Sequence, residues 1–561
     1  MDIEIKCFRS YQFDGNIYVQ CPALRGKSTS IHYSLRVDGK LVSEQVAAGS
    51  GQICFEGLKP AVYTVSAQTL PVEGEPACAA LVTINIPESA PNKNLAASLA
   101  TLPALSERLE RDSRLNEYFQ YCSSHTENSK PPSLKGRLSL NEGNKNILYV
   151  MFETGGYDRL LTDVRFAKAE MGHLNNLKLK RVFDSTTLAN KRGKLRQLDS
   201  LTNLYHVTNS VSEPELLTIA QALEALEYVR YCSIEIDTTD LPPPQLPIKI
   251  DLPVGSHSAD EDTPTPDFLD QQRYLEDNAG MDVYQAWEKF AETGKSATVR
   301  HLDFGVYSNH EDLIGNITVV NSRPETSDCN HGTAATGCIA AKSNEFGVTG
   351  IAHECEFYFY DTGDTPRVIE DMGVGDILSF NIQVSGTPLL PHLHLKGIWD
   401  LYYHAVAAGA VVIYAAGNGA SDISNTPSFN DWGDCGALLV GAVSSSLGTR
   451  IWFSNYNLYR AINSWGEKVA TTGYSGLQDY EGHDRDYTPT FNGTSSATPL
   501  ASGALALIQS YAISKYNVCF TASEMHLLVQ TWGSSDATGQ LIGHRPWVAN
   551  ILSAVDIVLT E

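Results

Sequence analysis

The stretch Gly493-Thr494-Ser495-Ser496-Ala497-Thr498-Pro499 sets a serine at the mouth of a helix. Ala501, Gly503, Ala504 and Ala506, mixed with Leu500, Leu505, Leu507 and Ile508, let that helix be buried and closely approached. Pro499 reads as part of the first turn, where a missing N–H costs little. Ser495 then stands at the positive end of the helix dipole, where free backbone N–H groups can face a developing oxyanion. A serine is a weak nucleophile without a base. Asp303 ends the strand-like run 296–303, His331 opens a helix start rich in small residues, and Asn418 ends the apolar run Val411–Asn418, which turns at Gly417. In these roles Ser495 attacks a carbonyl, His331 takes and returns its proton, Asp303 holds the imidazole, and Asn418 joins the Ser495 N–H as an oxyanion donor. Singly, each residue has a plainer reading as a turn or cap. Jointly, the four glycine-bearing neighbourhoods point to acyl transfer.

The blocks Asp303-x-Gly305, His331-Gly332-Thr333, Ala415-Ala416-Gly417-Asn418 and Gly493-Thr494-Ser495-x-Ala497-x-Pro499 resemble the subtilisin-like serine proteases (subtilases, peptidase family S8). His310-Glu311-Asp312-Leu313, Gly347–Ala352 and Leu439–Val443 add weaker matches, so the resemblance runs from about Asp267 to the C-terminus. It implies an Asp/His/Ser endopeptidase acting on protein or peptide substrates. It also implies that Ser379, Phe380 and Asn381 on one side, and Ala415, Ala416 and Gly417 on the other, flank the pocket for the residue before the cut. Phe380-Asn381-Ile382 is bulkier than the family's usual stretch. Family members often bind structural calcium, but no such site follows from spacing here; Glu481, Asp484 and Asp486 equally suit a solvated loop. No cofactor is expected.

Positioning these residues requires buried strands alternating with small-residue helices. Val299–Leu302, Phe357–Tyr360, Ile377–Phe380, Val411–Tyr414 and Leu438–Val443 read as strands apolar on both faces, hence a mainly parallel sheet covered by helices on each side. Ligands gather at the carboxyl ends of such strands, where Asp303 and Asn418 fall. His301, two residues before Asp303, reads as a packed strand histidine. His392 and His394 follow the loop prolines Pro388 and Pro391 and lack a third partner for zinc. Cys338 reads as core, and Cys329 as open to thiol reagents.

Upstream, residues 1–95 read as an all-β, Ig-like sandwich module, with Asp38-Gly39 as a hairpin turn. Residues 96–144 form a helical and linker segment. Residues 145–237 read as an α+β unit resembling the inhibitory prodomains of subtilases. Residues 238–266 are a Pro- and acid-rich linker, and 267–561 the protease domain. The N-terminal region is accordingly expected to act as an intramolecular inhibitor, making the protein an autoinhibited precursor, or else as a docking module.

Across all 561 residues the net charge is −24, which disfavours nucleic acid and anionic membrane surfaces as partners. The start Met1–Lys6 lacks the apolar core of a signal peptide, and no run spans a membrane. The 11 cysteines are scattered, which suits reduced thiols in a cytoplasm-like compartment, or release by a route without a signal peptide. Two other functions remain compatible with the fold: a serine esterase, and a silent binding scaffold. Labelling of Ser495 by a fluorophosphonate, followed by peptide cleavage, separates the three.

Overall fold

The computed structural model describes residues 9–13, 16–20, 30–48, 53–59, 61–69, 79–86, 133–163 except 142, 177–249 except 192 and 240, 257–258, and 263–560 except 278, 385, 387, 425, 458–459 and 538–539. Most of segment 96–144 and part of the linker therefore lie outside the described residues.

Seven parallel strands form the central sheet, in the order Ile317–Val319, Glu356–Asp361, Thr298–Asp303, Ile377–Phe380, Val411–Ala415, Leu438–Val443 and Ala461–Trp465. The inner strands are buried on both faces, as their unbroken apolar runs require. The helix Thr494–Tyr516 is buried for nearly its whole length. Its Ala and Gly positions allow close approach; a Cβ on Gly503 would sit 2.8 Å from the Ile351 side chain. Beside it, the helix Cys329–Ala340 is also buried almost all round.

The α+β unit has four antiparallel strands, in the order Val229–Ile236, Asn146–Phe152, Leu204–Val207 and Leu179–Arg181. The helix Glu213–Glu224 covers one face through Leu216, Ile219, Ala220 and Leu223. From the other face Met151, Leu204 and Tyr231, with Leu198 and Leu201 from the turn Gly193–Asn203, enter one continuous apolar cluster with Val368, Trp399, Leu401 and Tyr402 of the larger domain. Polar ties line this contact. Tyr231 donates to Asp400 at 2.8 Å, Gly397 N to Glu235 at 2.6 Å, and Lys396 to the Gly136 and Cys232 carbonyls.

Nearer the N-terminus lie two antiparallel sheets, of three and four strands, around Ile17, Ile31, Tyr33, Phe55 and Val65. Asp38 and Gly39 both take positive φ (48° and 75°) between paired Val37 and Lys40, the geometry of a two-residue hairpin turn. Among the described residues, seven cysteines are buried, and no helix is long and apolar enough to cross a membrane.

Four buried histidines give the fold a pH dependence. Burial drives His310 and His394 down to about 4, and His392 and His526 to about 3. In the unfolded chain each takes up a proton near pH 6.5. Between those values the unfolded state binds more protons, so stability is full above pH ~6.5 and falls as the pH drops toward 4. Buried Asp312, pushed up to about 7, opposes this over the same window, so the histidine contribution is read by difference: the gap in urea midpoint between wild type and His526→Gln should shrink as the pH falls from 7 to 4. A gap that stays constant or widens contradicts this.

Candidate active site

Asp303, the last residue of its strand, is wholly buried and accepts four hydrogen bonds. Oδ1 receives His331 Nδ1 and Phe304 N, both at 2.6 Å; Oδ2 receives Asn381 Nδ2 at 2.9 Å and His301 Nε2 at 3.2 Å. Burial alone would raise its pKa. The charge of His331 and the hydrogen bonds from His301 and His331 outweigh that, holding the carboxyl well below its usual range.

His331 is the third residue of its helix. Its ring stands edge-on to Phe304 and Phe491, with centroids 5.1 and 5.6 Å away. With Nδ1 on Asp303, Nε2 is buried and has no partner among the described residues.

Ser495 is the second residue of the helix Thr494–Tyr516 and 4% exposed. Gly493 before it has φ 96°. Pro499 is the sixth residue of this helix rather than part of its first turn. Its missing N–H leaves the Ser495 carbonyl without a helical donor. Asn381 Nδ2 supplies one, at 3.0 Å. The same amide nitrogen thus serves Asp303 and the backbone of Ser495.

Asn418 is oriented by Thr494, whose N and Oγ1 donate to its Oδ1 at 2.9 and 3.1 Å. That leaves Nδ2 beside Gly493, 3.4 Å from where a Cβ would stand. Ser379, Phe380 and Asn381 are all buried, with Phe380 packed on Tyr402 (centroids 4.5 Å apart). Ala415 and Ala416 are buried too. Gly417, at φ 85°, donates its N–H to Thr494 Oγ1 at 3.2 Å and lies close under Leu390.

His301 belongs to the same constellation. Besides Asp303 it meets Ser379 Oγ through Nδ1 at 2.9 Å. The sequence carried a signal for this: residues two apart on a strand point the same way. Cys329, expected to be reachable by reagents, is instead fully buried; its sulfur fills the space beside Gly305, 2.6 Å from where a Cβ would be.

Part of the linker lies against this face. Thr238 and Thr362 exchange hydroxyl-to-carbonyl bonds of 2.9 and 2.6 Å. Arg323, which grips Asp361, also donates to the Leu241 carbonyl at 2.8 Å. Ile248 N and O pair with the Asn492 side chain, both at 3.0 Å, and Pro247 Cδ comes within 3.3 Å of the Cβ position on Gly493.

Among the described residues no group of three His, Cys, Asp or Glu could hold a metal ion. Asp486, in the acidic loop, accepts from Tyr480 N and His483 Nδ1.

A family model described as the subtilase family matches residues 294–540. Subtilisin BL of Lederbergia lenta is 32% identical over 234 residues, covering 40% of this chain and 81% of that protein. Subtilisin Savinase of the same organism is 31% identical over 240 residues, with the same coverage. An intracellular serine protease of Paenibacillus polymyxa is 28% identical over 280 residues, covering 46% and 80%.

Proposed function

Because the chain belongs to the subtilase family and is a subtilisin-like serine endopeptidase, we propose that Asp303, His331 and Ser495 form its catalytic triad. One observation carries this: His331 is fixed on Asp303 through Nδ1, and its Nε2 is left buried and unpartnered. Ser495 Oγ attacks the scissile carbonyl as its proton passes to His331 Nε2. The oxyanion takes hydrogen bonds from Asn418 Nδ2 and Ser495 N. His331 then protonates the leaving amine, and water hydrolyses the acyl-enzyme with His331 again as base. Substrate meets Ala415, Ala416 and Gly417 through their backbone. Ser379, Phe380 and Asn381 back the opposite wall, their side chains turned into the protein.

The same reading makes the full chain an autoinhibited precursor, with residues 238–239 and 241–249 lying in the substrate cleft as a strap. Its support is the run of contacts from Thr362 to Asn492, and Pro247 against Gly493 beside the oxyanion donor. Pro242, Pro243, Pro244 and Pro247 lack the N–H groups by which a substrate strand pairs with cleft walls. The apolar cluster shared with the α+β unit favours a unit that stays bound once the linker is cut.

Three outcomes test this. Ser495→Ala should abolish fluorophosphonate labelling and peptide cleavage while leaving the fold intact. By mass spectrometry, a cut between Asp237 and Asp267 should occur in the wild type only. Continued cleavage by purified Ser495→Ala protein refutes the triad, and full activity of uncut wild type refutes the strap. Asn418→Ala should lower kcat by about 10²–10³ with little change in KM, a magnitude measured in subtilisin, the relative, rather than taken from this geometry. A loss confined to KM contradicts the oxyanion role.

A further inference from the structure

The triad aspartate carries two histidines, and the reaction above uses one. His331 occupies Oδ1 of Asp303; His301 occupies Oδ2 from the opposite, interior side. His301 is completely buried, with Phe357 and Phe359 rings 6.0 and 6.2 Å from its own. A polar ring in such surroundings is costly unless its nitrogens are bonded, and both of them are.

The direction of each bond follows from what each group can do. A carboxylate only accepts, so the nitrogen facing Asp303 bears a hydrogen. Ser502 Oγ donates to Ser379 Oγ at 2.9 Å and also reaches the Thr498 carbonyl at 2.8 Å. Ser379, paired with His301 in the sheet register, accepts from Ser502 and so has its own hydroxyl hydrogen for His301 Nδ1 at 2.9 Å. The ring is thereby locked in one tautomer. Ser502 and Thr498 stand on the helix whose second residue is Ser495.

We propose that His301 is a positioning residue of the triad: it anchors Asp303 by Oδ2, keeps Oδ1 turned toward His331, and ties the carboxylate through Ser379 and Ser502 to the helix that presents Ser495. It touches no substrate and acts only through Asp303. Without it Asn381 alone holds Oδ2, and the carboxylate is free to turn about its Cβ–Cγ bond. This role rests on the triad reading.

The test uses the full-length chain with His301→Leu, His301→Gln and Ser379→Ala, following peptide kcat and KM, the rate of fluorophosphonate labelling, and thermal unfolding. Leu fills the space without a donor; Gln carries an amide N–H at the distance of Nε2. His301→Leu should lose about tenfold or more in kcat and labelling rate at nearly unchanged KM, the scale of one hydrogen bond to a charged group. His301→Gln should recover most of that loss, and Ser379→Ala should fall between them with unfolding unaltered. A folded His301→Leu protein with wild-type kcat overturns the proposal, as does a folded His301→Gln protein no better than His301→Leu. If the His301 variants fail to fold, Ser379→Ala decides: reduced kcat at an unchanged unfolding temperature supports the role, and wild-type kcat overturns it. Wild-type behaviour of His301→Leu beside an inactive Ser495→Ala protein removes only the role of His301. Activity in Ser495→Ala removes the triad itself.

Discussion

A carboxylate buried in a dry interior persists as an anion only if donors surround it, and Asp303 imposes that condition on the whole candidate site. Its four donors come from its own strand and turn (His301, Phe304), from the start of a neighbouring helix (His331) and from just beyond the adjacent strand (Asn381). No single element could supply them. The parallel sheet can, because adjacent strands deliver their carboxyl ends to one edge and the connecting helices begin there. The depressed pKa of Asp303 and the orientation of His331 are thus two results of one arrangement.

Asn381 joins that arrangement to Ser495. Proline in the sixth position of a helix forfeits a backbone hydrogen bond and leaves the carbonyl four residues earlier exposed. Here that carbonyl belongs to Ser495, and the donor that fills the gap is the amide that also holds Asp303. A local flaw in the helix becomes the joint between two parts of the site. Thr494 does the same on the other side, orienting Asn418 through both its N–H and its hydroxyl.

Much of this was readable in the residues. Strands such as Val411–Ala415 and Leu438–Val443 announce themselves by unbroken apolar runs, and Asp38-Gly39 by its turn chemistry. The edge strands were harder: Ile317–Val319 is only three residues, and Ala461–Trp465 hides behind Asn463 and Ser464, whose polarity is compatible with burial because Asn463 donates to the Gly543 carbonyl. In the site, Asp303, His331, Asn418 and Ser495 stood out because glycines and small residues surround them. His301 did not, since a strand histidine is usually just packed and its serine partner lies 78 residues away. Asn381 was legible as a cleft residue, but its inward turn depends on the carbonyl that Pro499 exposes, a relation between two elements that neither segment carries alone.

The apolar cluster that includes both Leu198 and Trp399 also has a bearing on time. Those residues are separated by 201 positions, so the contact cannot form until the second half of the cluster has left the ribosome. At about 5–20 residues per second that delay is on the order of ten seconds or more. Throughout it the face of the α+β sheet bearing Met151, Leu204 and Tyr231 lacks its cover, and closing contacts of such sequence separation is intrinsically slow. A nascent chain of this protein is therefore committed to an interval of exposed apolar surface before any catalytic face exists. Synthesis itself, ahead of any inhibitor, separates the birth of the polypeptide from the onset of proteolysis.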